Sequence, residues 1–335
     1  MLYCVTGILL LNLGGPDSLD AVGPFLSNLF SDRDIIRLGP PFLQKPLASI
    51  IVRIRLQKVK DAYARIGGKS PLPAITFAQA KALENHLNKR VPAGEGPDNR
   101  TLPVPLFPFR VYTGMRYWHP FIGDTVAEMH REGIGRVLVL SLYPHYSVAT
   151  TGSSVKSFVE AIAKYPIEYR CVSSWFDHPG YIKALAESIR KGISLFPETP
   201  AILFSAHSLP QKFIDAGDPY DREIRGTISE VMKKIGGEWH LSYQSKTGPV
   251  KWLEPTTEHM LPVLAGRGVK NLLVVPISFV SDHIETLYEI DILYKDLAKD
   301  LGMRLERTES LNTSPLFIEA LADIALKEMR EAGWL

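Results

Sequence analysis

Within residues 281–296, SDHIETLYEIDILYKD, four side chains able to carry protons or bind cations come in quick succession: Asp282, His283, Glu285 and Glu289. A fifth, His207, ends the apolar stretch AILF (201–204), with Ser205 and Ser208 beside it. Imidazole titrates near neutrality, and an imidazole among carboxylates suits a proton relay or a divalent first-row metal. Two ligands with open positions fit a metal held briefly rather than a structural zinc. No H-E-x-x-H motif or cysteine-based set competes. A plain surface helix would look much the same. At about 100° per residue, Ile284, Leu287, Ile290, Tyr294 and Leu297 gather on one side, with Asp282, Glu285, Glu289 and Asp296 opposite. A strand-end histidine is likewise often a hydrogen-bonded structural residue. The positions of these residues in the fold decide between the two readings.

Those positions follow from a duplication. Residues 120–144, PFIGDTVAEMHREGIGRVLVLSLYP, align with 255–279, PTTEHMLPVLAGRGVKNLLVVPISF, at a constant offset of 135. Each copy reads as a helix, a glycine-containing turn and a continuous apolar strand. Further on, HPGYIKALAESI (178–189) answers SPLFIEALADIA (314–325), and GILLLNLGGP (7–16) resembles AILFSAHSLP (201–210). Apolar strands alternating with amphipathic helices imply parallel sheets covered on both faces. Two copies imply two similar doubly wound α/β lobes, the first carrying extra residues at about 30–90. Ligands of such folds bind outside the carboxyl ends of the strands, here in the cleft between the lobes. Four segments should meet there: 12–17, 141–154, 205–210 and 278–285.

The bulk properties fit a soluble globular protein. The 335 residues are 45% hydrophobic and 22% charged, enough for two ordinary domains with a real core. A net charge of +2 without a basic tract argues against a nucleic-acid partner. Cys4 and Cys171 have no partner spacing, which points to a reducing compartment. The start MLYCVTGILLLNLGGP lacks the basic region and cleavage site of a signal peptide and reads as a buried strand, and no run reaches the length of a membrane span. A cytoplasmic location is expected.

Other motifs carry less. TTGSS (150–154) lacks the lysine of a P-loop, NLGGP is not G-x-G-x-x-G, and Ser205 and Ser208 have no G-x-S-x-G context. In the segment 30–70, Phe42, Leu43, Leu47, Ile50 and Ile51 mix with Arg53, Arg55, Lys58, Lys60 and Arg65. This is either a helix packed on its lobe or an apolar lip with basic anchors that meets a membrane or an apolar anionic ligand.

The chain resembles the ferrochelatases, which insert Fe²⁺ into a porphyrin late in haem synthesis. The resemblance runs from about residue 8 to 325. It rests on NLGGPDSLDAVGPFLSNLFSDRDII, YARIGGKSP, MRYWHPF, YPHYSVATTGSS, LFSAHSLP with GDPY, SYQSKTGPVKWLEPTT and PISFVSDHIETLYEID. It implies two similar lobes, each a four-stranded parallel sheet flanked by helices, with the cleft between them. The corresponding boundaries are an N-terminal lobe at 1–165, a C-terminal lobe at 166–310, and a final helix within 311–335 packing back on the first lobe.

The resemblance also implies roles. His207 and Glu285 face each other across the porphyrin centre as catalytic and metal-binding groups, with Asp282 and His283 as neighbours. Asp282 and Glu289 form an acidic path toward solvent, and that row stops at Leu293, where the family carries a third acid. Tyr63, Ser70, Arg55 and Lys58 match propionate-holding positions. Asn12, Leu13, Arg116, Tyr117, Trp252, Phe279 and His283 line the pocket. NLGGP, with Leu13, matches protoporphyrin users rather than the Tyr-Gly-Thr-Pro loop of coproporphyrin users. No cysteine follows Cys171, so no iron–sulfur cluster or other cofactor is expected, and Fe²⁺ enters as substrate. A monomer with peripheral membrane contact through 40–51 is the expectation. The rivals are a cobalt or nickel tetrapyrrole chelatase and a non-enzymatic haem or metal carrier.

Overall fold

Among the described residues, four apolar runs and four more polar segments form eight parallel strands in two sheets. The computed structural model describes residues 6–36, 38–90, 109–246, 248 and 250–335; Cys4 lies outside them. The first sheet contains β1 (Thr6–Asn12), β2 (Arg110–Met115), β3 (Arg136–Ser141) and β4 (Glu168–Val172), in the order β2-β1-β3-β4. The second contains β5 (Ala201–His207), β6 (Trp239–Gln244), β7 (Asn271–Pro276) and β8 (Arg304–Arg307), in the matching order β6-β5-β7-β8. Every pairing is parallel, for example Gly7 with Arg110 and Val137 on either side of β1.

Period-two alternation sends each strand's side chains to two covered faces. Ile8 and Leu10 enter a core that continues through Phe204, Val275 and Leu321, so one apolar layer joins both lobes. Leu9 and Leu11 face a separate cluster with Val126 and Phe158, and Leu203 faces another with Leu272 and Ile290.

Eleven α-helices lie among the described residues. The first lobe carries α1 (Val22–Ser31), α2 (Gln44–Arg65), α3 (Leu72–Arg90), α4 (Ile122–Arg131) and α5 (Ser153–Ile162). After α6 (Pro179–Ile193) come α7 (Gln211–Asp215), α8 (Tyr220–Ile235), α9 (Thr257–Gly266), α10 (Lys295–Asp300) and α11 (Pro315–Glu331). The duplicated helices play exchanged parts. α6 follows β4 yet packs on α8 and β7, whereas α11 follows β8 and packs on α3 and β3. α3 thus answers α8, and the helices of the first lobe without a counterpart are α1 and α2. Those two pack together through Val22, Phe25, Leu26, Phe30 and Ala48, joined by Tyr63 and Tyr117.

The stretch after β7 differs from the α-helix its periodicity predicts. Glu285–Tyr294 is a π-helix of 10 residues, leading directly into α10. Its buried residues are Thr286, Ile290 and Tyr294, four apart, and Leu287 is only half-buried. The wider i→i+5 turn brings residues four apart into line, where an α-helix would alternate three and four. The first lobe repeats the feature at Val148–Gly152, a short π-turn entering α5.

Candidate active site

The topology puts the ends of the central strands β1 and β5 at the crevice where the strand order reverses. β5 ends at His207 and β1 at Asn12. The loop after β7 delivers Phe279 and His283, and the π-helix delivers Glu285 and Glu289. The four expected segments are linked here. Tyr117 N–H donates to Leu13 O at 3.0 Å, Arg116 Nε donates to Ser153 Oγ at 2.8 Å, and the Tyr143 and Phe279 rings meet at 6.4 Å.

His207 Nδ1 lies 2.9 Å from Glu285 Oε2. With Nδ1–H donating to the carboxylate, Nε2 keeps the lone pair. Burial alone would lower the imidazole pKa; the charge and hydrogen bond of Glu285, with Glu289 behind it, outweigh burial and raise it. Glu285 shifts the other way. Burial would raise it, but His207, His283 and Ser245 hold the carboxyl below its usual range. The His207 backbone is fixed on both sides, its N–H donating to Ser278 Oγ at 2.6 Å and its carbonyl accepting from Tyr220 Oη at 2.9 Å.

Glu289 sits one step outward, where Ser245 Oγ and Gln244 Nε2 donate to its Oε2 at 2.6 and 3.3 Å. Burial, then the like charge of Glu285, push its carboxyl up to about 7. A group so poised exchanges protons at neutral pH. His283 is buried with Nδ1 on Ser281 O at 3.1 Å and its ring 4.2 Å from Phe279. Its Nε2 stands 4.0 Å from Glu285 Oε2, and burial lowers its pKa against the opposing charge of Glu285. No group of three or more His, Cys, Asp or Glu side chains arranged for a metal occurs among the described residues, leaving His207 and Glu285 as a two-donor pair.

Asp282 is turned elsewhere. Arg307 Nη1 pairs with its Oδ1 at 3.0 Å, Ser310 Oγ and Thr286 Oγ1 donate to the same oxygen at 2.8 and 3.1 Å, and Asn312 Nδ2 donates to Oδ2 at 2.8 Å. Burial would raise its pKa, but these partners hold it below the usual range. The acids brought beside His207 are therefore Glu285 and Glu289, with Asp282 anchored behind them. Leu293, further along the π-helix, is 39% exposed and faces outward.

The remaining predicted residues differ in burial and in partners. Asn12 is buried, its Nδ2 donating to Thr76 Oγ1 at 3.0 Å and its Oδ1 accepting from Leu13 N–H at 2.8 Å, so it locks the turn out of β1. In that turn Gly14 has φ +83°, and a Cβ on Gly15 would collide with the Ser70 side chain. Arg116 and Tyr117 both donate to Asp32 Oδ2, at 2.7 and 2.6 Å, with Ser153 Oγ on the same oxygen at 2.7 Å. Tyr63 and Ser70 are buried, and the Tyr63 phenol is raised first by burial and then by the charge of Glu285, with Ser70 opposing. Arg55 lies over the Phe30 ring, 5.6 Å from its centroid, and within electrostatic reach of Glu289. Lys58 is exposed; Trp252 is half-buried with a buried, unpartnered Nε1.

Four supporting residues carried no sequence signal of their own: Ser278 and Tyr220 under His207, Ser245 under Glu289, and Asp32 under the Arg116–Tyr117 pair. All lie inside motifs quoted above, yet only the folded backbone reveals their roles.

The ferrochelatase family model matches residues 5–329. The relative from Geobacter metallireducens (strain ATCC 53774 / DSM 7210 / GS-15), a ferrochelatase, is 53% identical over 330 residues, covering 96% of this chain and 98% of its own. That from Gloeothece citriformis (strain PCC 7424), also a ferrochelatase, is 45% identical over 338 residues, covering 98% and 84%. Among solved structures, SirB from Bacillus subtilis with Fe³⁺ has a TM-score of 0.54 at 12% identity, covering 96% of this chain and 95% of that one. That likeness is one of fold.

Proposed function

Given that this chain belongs to the ferrochelatase family, and is thus a lyase of haem biosynthesis that loads iron into a porphyrin, we propose that its porphyrin is protoporphyrin IX. The observation that carries the chemistry is the 2.9 Å contact between His207 Nδ1 and Glu285 Oε2 at the carboxyl end of β5. Metal entry displaces two pyrrole protons, which need a base of near-neutral pKa. In this reading His207 Nε2 takes a proton, Glu285 stabilises the imidazolium, and Glu289 hands protons outward past Ser245. Fe²⁺ is a substrate that meets His207 and Glu285 in passing, and no resident cofactor is invoked.

Binding energy at the porphyrin periphery bends the ring and exposes a nitrogen lone pair. In this reading Arg55, Lys58, Tyr63 and Ser70 hold the propionates, and Asn12, Leu13, Arg116, Tyr117, Trp252, Phe279 and His283 shape the walls. Leu13, an apolar side chain beside the β1 turn, supports protoporphyrin over the more carboxylated coproporphyrin. Anaerobic assays with Fe²⁺ and either porphyrin, followed by the Soret and Q bands, test this. The reading expects a higher kcat/KM for protoporphyrin IX; a preference for coproporphyrin III would overturn the substrate assignment.

We also infer that 40–51 touches an anionic membrane surface from the cytoplasmic side. Phe42 is 76% and Ile50 53% exposed, with Lys45 and Arg53 exposed beside them. No helix among the described residues is long and apolar enough to cross a membrane.

A further inference from the structure

Arg307 ends β8, away from the residues that meet His207. Its side chain is 9% exposed, and each of its three nitrogens has an acceptor. Nε and Nη2 fork onto Asp291 at 2.9 and 2.8 Å, while Nη1 reaches Asp282 Oδ1 at 3.0 Å and donates to Thr308 O at 3.0 Å. Asp282 precedes Glu285 and Asp291 follows Glu289. One cation therefore holds the backbone on both sides of the two acids.

Such a hold has a physical purpose. π-helical turns are rare and occur mostly as single-turn bulges, so a run of ten residues needs support from outside itself. The planar fork suits bidentate capture of Asp291 in a way that a lysine does not. The clamp also reaches the other lobe. Asn312, at φ +42°, donates to Asp282 through Nδ2 and accepts from Asp282 N–H, and its carbonyl accepts from Gln79 Nε2 of α3 at 2.8 Å.

We propose that Arg307 is a positioning residue for metal insertion, setting the placement of Glu285 and Glu289 by clamping Asp282 and Asp291 on either side of them. The proposal rests on the reading of those two glutamates as the working acids of the site. A displacement of about 1 Å at a reacting group can cost on the order of 100-fold in rate.

The test compares wild type, R307K, D291N and the double variant, with R304K as an exposed-strand control. Readouts are kcat, KM for porphyrin, KM for Fe²⁺, and amide hydrogen exchange over 285–294. For R307K we expect kcat to fall about tenfold or more, with KM for porphyrin within about twofold of wild type and protection lost over 285–294. D291N should fall in the same direction, and the double variant should lose no more than the worse single change. R304K should match wild type.

A folded R307K with kcat within about twofold of wild type would overturn the proposal, as would a loss carried wholly by KM for porphyrin. If R307K does not fold, D291N is judged by the same criteria. A wild type that metallates neither protoporphyrin nor coproporphyrin strikes the reading of the site instead; the clamp then stands or falls on whether exchange over 285–294 rises in the variants.

Discussion

At 2.9 Å from Glu285, the His207 ring gains a charge partner while the second acid, Glu289, is left as the group that burial and like charge disfavour. The two carboxyls are thus driven apart, Glu285 below its usual range and Glu289 up to about 7. Environments that separate like groups in this way divide the roles of anion and proton carrier. The sign for stability follows. Because folding raises the Glu289 pKa, its contribution is full below about pH 4.5 and is lost as pH rises through about 7. Glu289→Gln removes that loss. Urea unfolding should find the variant more stable than wild type at pH 8, by on the order of 1–3 kcal/mol, and near wild type at pH 5. Equal stability differences at the two pH values would contradict a raised Glu289.

The elements were unequally legible in the sequence. Strands β1, β3, β5 and β7 show as continuous apolar runs because both of their faces are covered, and the duplication paired β1 with β5 and β3 with β7. The π-helix did not show. An apolar spacing of four suits both helix types; Ile290 and Tyr294 pack with Leu203 and Leu272, while Thr286 is buried against Asp282 and the His283 backbone, partners that local pattern does not encode. Asp282 misled for a similar reason: periodicity sets it on the wet face with Glu285, whereas its carboxylate meets Arg307 from β8. α2 poses a different question, since its exposed apolar residues lie on an element with no counterpart in the second lobe. If they seat on lipid, wild type should sediment with anionic phosphatidylserine vesicles. The F42D/I50D variant should stay in solution while keeping metal insertion from free porphyrin. Sedimentation unchanged by both aspartates would contradict that contact.

For the whole molecule, duplication supplies two sheets of matching order, and His207, Glu285 and Glu289 all lie in the second copy. In the aligned opening strands, Leu13 occupies the place of His207. In the proposed reading the first lobe adds walls instead, through Asn12, Leu13, Arg116, Tyr117 and the α1–α2 pair. The lobes share one apolar layer and are tied by polar contacts such as Gln79 Nε2 to Ser281 Oγ at 2.9 Å, so wall and chemistry keep a fixed spacing. This division was readable in outline, from a repeat whose copies differ at the strand ends; the ties across it became visible only once the chain was folded. The central claim is that metal insertion runs through His207 paired with Glu285. The most direct measurement is anaerobic Fe²⁺ insertion into protoporphyrin IX by wild type, His207→Ala and Glu285→Gln, each checked for folding by circular dichroism. Both variants should lose at least about 100-fold in kcat while still binding porphyrin, the range set by general acid–base catalysis. Full activity in either folded variant would contradict the claim.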